Sequence, residues 1–130
     1  MDRIERLMNE YGYVNYVFQP SMPESLAGFI SGNTVYLNSG RSYRRIYSTL
    51  ADEIGHWETS SDKNIVDYRK HGKEELQARE WSYKKIIPIE ELEKFRNEEV
   101  ITDYEVSDEL DLPIDVVRGA YDMYKRKGSL

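Results

Sequence analysis

Cysteine is absent from these 130 residues, which excludes a disulfide framework and a thiolate zinc site. Long apolar runs are lacking too. No stretch approaches the ~18 residues of a membrane span, so no membrane partner is expected. The opening Met1-Asp2-Arg3-Ile4-Glu5-Arg6 has no apolar signal region behind it. The expectation is therefore no secretory leader and a cytoplasmic location. Internal repeats and low-complexity segments are missing as well. Nor is there an excess of positive charge. Residues 1–88 carry 12 Lys/Arg and 12 Asp/Glu, whereas residues 89–130 carry 6 and 12, so the net charge of −6 falls wholly in the last third. Such a segment repels phosphates, and no direct nucleic-acid partner is expected.

What is present suffices for one compact domain with a core: 39% hydrophobic and 32% charged residues. Ile4, Leu7, Met8 and Tyr11 recur at helical spacing and Gly12 stops the run. Tyr13 to Phe18 is rich in strand formers. Gly28 to Ile30, the turn Ser31-Gly32-Asn33, and Thr34 to Asn38 read as a β-hairpin. A long helix is expected from Ser42 to Glu58, with Tyr43, Ile46, Tyr47, Leu50, Ile54 and Trp57 within about 100° of one another. Thr59 to Gly72 is polar loop. Lys73 to Ile87 is a second helix stopped by Pro88, Ile89 to Asn97 a third, and Val106 to Leu112 with Ile114 to Lys127 a final pair. The predicted class is α+β, with helices on a small antiparallel sheet and a C-terminal helical pair. Residues 1–98 form the main domain, and residues 99–130 an acidic extension packed on it.

The stretch Leu50-Ala51-Asp52-Glu53-Ile54-Gly55-His56 carries the chemistry. In H-E-x-x-H, two histidines four apart on one helical face hold Zn²⁺, and the intervening Glu acts as general base on the attacking water. Here Glu53 and His56 are kept and Asp52 stands where the first His belongs. Asp52 and His56 sit together beside the apolar stripe and supply two ligands. A third is expected from Glu75, on a strip with the small residues Ala78 and Ser82 that lets another helix approach. Glu74 and His71 are the alternatives. Aspartate is shorter than histidine, so the helix must lie closer to the ion or a water must bridge. One divalent metal is expected, Zn²⁺ first, while the harder mixed carboxylate and imidazole set shifts the preference towards Mn²⁺ or Fe²⁺.

Asn38-Ser39, the Leu50–His56 motif, and Glu75-Leu76-Gln77-Ala78-Arg79-Glu80-Trp81-Ser82 running to Ile86-Ile87-Pro88 occur in one order. Together they resemble the ImmA/IrrE family of metallopeptidases, above all its short bacteriophage and mobile-element members, in which an acidic residue at the first ligand position occurs. The similarity extends to the ending Tyr121 to Lys125. The resemblance implies a zincin-like fold, Glu53 as catalytic base, and Asp52, His56 and Glu75 as metal ligands. It also implies a metal-dependent endopeptidase (antirepressor) whose partner is a helix-turn-helix repressor encoded by a phage or mobile element. Arg79 for the family's common Asn and Ser82 for its usual Ala are departures. Two competing functions are weighed. One is a non-catalytic antirepressor that keeps the fold and sequesters the repressor. The other is a DNA-reading helix-turn-helix at Val106 to Val117, poorly supplied because its second helix begins at Asp115 and offers only Arg118 in its first turns.

Overall fold

Capping and turn chemistry set the element boundaries. A computed structural model describes residues 1–60, 72–96 and 101–130 of the chain. Asp2 caps α1 (Arg3–Glu10), its carboxylate accepting the Glu5 N–H at 2.9 Å. Three strands follow: β1 (Asn15–Gln19), β2 (Gly28–Ser31) and β3 (Thr34–Asn38). Gly32, at φ 59°, turns β2 into β3. Ser42 caps α2 (Tyr43–Thr59), accepting the Arg45 N–H at 3.2 Å. Then come α3 (Gly72–Ile86), α4 (Ile89–Arg96), α5 (Asp103–Leu110) and α6 (Ile114–Arg126). Of the expected loop Thr59 to Gly72, the two end residues belong to α2 and α3, and residues 61–71, His71 among them, lie outside the described residues.

Two expectations are corrected. The sheet is mixed, not antiparallel: its order is β1-β3-β2, with β2 antiparallel and β1 parallel to β3. The reason lies in β3 and the link 20–27. Val35 and Leu37 of β3 are wholly buried, so this strand takes the centre of the sheet. The link carries the chain past it and is pinned there by Asn38, whose Nδ2 donates to the carbonyls of Pro23 and Leu26 at 3.3 and 2.9 Å. Secondly, α5 begins at Asp103 rather than Val106. Thr102 and Glu105 form a capping box that starts the helix one turn earlier.

Two apolar clusters organise the packing. One joins α1, the sheet and the buried face of α2. The other gathers Tyr83 and Ile87 with Leu92, Val106, Leu112, Val117 and Met123. Tyr47 and Ile86 pack against both. The acidic α5–α6 turn docks on arginines of the first half. Arg44 pairs with Asp108 and Asp111 at 3.2 and 2.6 Å, Arg3 pairs with Asp111, and Arg45 grips both oxygens of Asp115 at 2.6 and 3.1 Å. Burial alone would raise the Asp115 pKa, but the Arg45 fork outweighs it and holds the carboxyl below its ordinary value.

Among the described residues the most extensive helix contact is α2 against α3. Gly55 makes it possible. A Cβ there would stand 2.6 Å from the Ala78 carbonyl oxygen and 3.2 Å from the Trp81 ring. Because the first of these is backbone, one helix would have to move. Ala78 and Ser82 are buried at the same seam.

Gly55→Ala should therefore destabilise the protein by up to about 2 kcal/mol in urea unfolding: a clash with backbone puts the overpacking cost at the upper end of ~1–3 kcal/mol, above the ~1 kcal/mol gain in helix propensity. A stability equal to or above the wild type would show that the helices separate without cost. A second prediction concerns acid. The lowered Asp115 pKa means that its pairing stabilises the fold above the ordinary aspartate range and is lost as pH falls through the folded value. Asp115→Asn should cost about 0.5 kcal/mol at neutral pH, discounted because the side chain is 63% exposed. The difference should vanish in unfolding curves taken well below that range.

Candidate metal centre

The seam between α2 and α3 brings three of the sequence-predicted residues together. Asp52 and His56 lie one turn apart on α2, and Glu75 faces them from the first turn of α3. One donor atom from each lies within 4.8 Å of the others. His56 Nε2 and Glu75 Oε2 are 3.3 Å apart. Bonds of ~2.1 Å at tetrahedral angles put neighbouring ligand atoms ~3.4 Å apart, so this edge already has ligand spacing. His56 is buried, whereas the Asp52 and Glu75 side chains are 19% and 38% exposed. One imidazole and two carboxylates fit a divalent ion, and the short Asp52 reaches the group because Gly55 lets α3 come close. Glu74 is exposed and stands outside the cluster.

Glu53, the expected general base, is 9% exposed. It helps line a cleft of about 410 Å³ bounded also by Gly28, Ser48, Asp52 and Arg79. The cleft and the three-residue cluster share Asp52. His56 and Glu75 stand beyond the cleft wall. A buried carboxylate on the wall of a polar cleft, one residue from a ligand position, suits proton transfer.

Arg79 is the residue whose role sequence reasoning missed. In sequence it is only a departure from a motif. In the structure its Nε reaches Asp52 Oδ1 at 3.1 Å and its Nη2 reaches Glu75 Oε1 at 3.2 Å. One guanidinium therefore bridges both carboxylates. The Glu75 pairing is an i,i+4 contact legible in sequence, but the Asp52 pairing crosses from helix to helix. Burial pushes the Asp52 carboxyl above its ordinary value and Glu75 adds to this, while Arg79 and a Ser82 hydrogen bond oppose it. Burial would lower the Arg79 pKa, yet Asp52, a Tyr83 hydrogen bond and Glu75 raise it. The guanidinium therefore stays charged.

Chemically, the arrangement offers three metal donors, a nearby base and a cation that balances the carboxylates. The purified chain should take up about one Zn²⁺ or Mn²⁺, gaining roughly 2.7 kcal/mol of stability at a hundredfold excess over Kd. Affinity should fall on acidification, because all donors must be deprotonated to bind and burial raises the Asp52 pKa. His56→Ala and Glu75→Gln should each abolish the thermal shift. Absence of any shift in the wild-type chain with either metal would dismiss the centre. Comparison of the chain with protein-family models, curated proteins and solved structures finds no match.

Proposed function

We propose that this chain is a metal-dependent endopeptidase that acts as an antirepressor, cutting a helix-turn-helix repressor of a phage or mobile element. The observation that carries the catalytic half is the meeting of Asp52, His56 and Glu75 within 4.8 Å, with buried Glu53 beside them. The repressor as substrate rests on the motif resemblance. Asp52, His56 and Glu75 would hold the ion, which when bound supplies Lewis-acid activation for hydrolysis of a peptide bond. The remaining work falls to the chain. A Glu53 carboxylate oxygen takes the proton from the attacking water and passes it to the leaving amine. β2 is an edge strand, and Gly28 at its start lines the cleft. An edge strand offers backbone N–H and C=O groups that hold a peptide extended. Arg45, locked on Asp115 across the cleft, keeps α6 at its rim.

A second reading is favoured by one observation. Arg79 supplies the carboxylate pair with positive charge without any metal. A non-catalytic antirepressor that sequesters the repressor is consistent with this and with Asp52 at the first ligand position. Against the third reading, Asp115 at the start of α6 is engaged by Arg45, and Arg118 is paired with Asp103 at 2.5 Å. The two charged groups that would open a DNA-reading helix are thus occupied within the chain.

Glu53→Gln separates the first two readings. Glutamine keeps the shape but cannot take the proton, so cleavage of the repressor should fall by ~10²–10⁴-fold while metal and repressor binding persist. Derepression in cells at the wild-type level by this variant, with uncut repressor on a gel, would falsify the enzyme and leave the binder.

A further inference from the structure

The geometry points to Arg79 as an exchangeable counter-cation: its guanidinium holds the Asp52–Glu75 pair in the metal-free protein and gives it up to a divalent ion. The inference rests on the metal-dependent reading above. Its basis is positional. Two different guanidinium nitrogens reach two carboxylates on two different helices, at 3.1 and 3.2 Å. Glu75 divides its oxygens, Oε1 facing Arg79 and Oε2 facing His56. Arg79 thus already touches two of the three donors that the ion would use.

Two effects of one sign follow. While Arg79 is in place it occupies carboxylate lone pairs that the ion needs. It also sets a fixed positive charge beside an incoming dication, and like charges a few ångströms apart repel strongly in a partly buried site. Removing Arg79 should therefore tighten metal binding. Without metal the result reverses, because two neighbouring carboxylates are left with no cation between them.

The side chain also has somewhere to go. Arg79 is 45% exposed and lines the cleft of about 410 Å³, so it can turn from the carboxylates without opening the core. Tyr83, one turn further along α3, lines the same cleft beside Arg79 and offers it a polar neighbour away from both carboxylates. Tyr83 itself cannot retreat towards α6: its hydroxyl stands where a Cβ on Gly119 would be, 2.1 Å from that position. In this arrangement the two carboxylates exchange Arg79 for the metal while Tyr83 stays fixed. A purely structural Arg79 salt bridge would affect melting alone and leave metal affinity untouched.

The test uses the full chain, stripped of metal, as wild type, Arg79→Met and Arg79→Lys. Zn²⁺ and Mn²⁺ are titrated by calorimetry, and melting is followed in chelator and at saturating Zn²⁺. Arg79→Met should bind Zn²⁺ about tenfold or more tightly than wild type, the scale of losing two competing ion pairs. Arg79→Lys, which cannot bridge both carboxylates, should fall between them. In chelator Arg79→Met should melt below wild type, and saturating Zn²⁺ should remove the difference. Equal or weaker metal affinity in Arg79→Met, with the wild type binding normally, overturns the exchange and leaves the metal centre standing. Uptake by neither chain overturns both. If Arg79→Met does not fold, Arg79→Lys decides: a Kd equal to the wild type's overturns the proposal.

Discussion

The close approach of α2 to α3 is the constraint from which the rest of the site follows. Gly55 has no side chain to hold the helices apart, and the Ala78 backbone fills the space that a Cβ would need. A side chain at position 55 would push the helices apart and carry the short Asp52 carboxylate away from its partners on α3. With Gly55 facing Ala78, a carboxylate, an imidazole and a second carboxylate come within one coordination sphere's reach. The same seam buries Ile54 and Leu50 on one side and places Glu53 on the wall of a polar cleft on the other. Packing and chemistry share one contact surface.

Charge distribution along the chain finds its explanation in the docking of α5 and α6. The excess acid of the last third meets Arg3, Arg44 and Arg45 from the first half, where the overall balance is neutral. These pairs are mostly exposed, and individually each contributes little. Their collective effect is orientation. They fix the α5–α6 turn against α1 and α2, while Tyr124 donates to the Ile87 carbonyl at 2.8 Å and ties α6 to the end of α3. A net acidic segment that looks like a tail in sequence is thereby one wall of the cleft.

Arg79 places a fixed positive charge in the centre itself, and this sets its character. Two carboxylates in a partly buried seam repel each other, and the protein relieves that repulsion internally. In a metal centre a divalent ion would supply that relief, and in a metal-free binding module Arg79 supplies it, so the enzyme and sequestration readings diverge at this one side chain rather than over the fold.

Sequence alone determined the elements and the local pairings. Apolar spacing located α1 and α2, the Ser31-Gly32-Asn33 turn gave the β2–β3 hairpin, and Pro88 ended α3, because these depend on neighbours a few residues away. The i,i+4 relation of Asp52 to His56 and the small-residue strip beside Glu75 were legible for the same reason. The Thr102–Glu105 capping box is equally local, since its two partners are three residues apart. Tertiary structure decided what depends on distant partners. It put β3 in the centre of the sheet and made β1 parallel, because burial of Val35 and Leu37 and the grip of Asn38 on the link 20–27 outweigh the simpler meander. It chose Glu75 over Glu74, since only one face of α3 meets α2. It turned Arg79 from a surface residue into the cation of the centre, a role that no spacing reveals because Asp52 lies 27 residues away and meets it only across the helix seam.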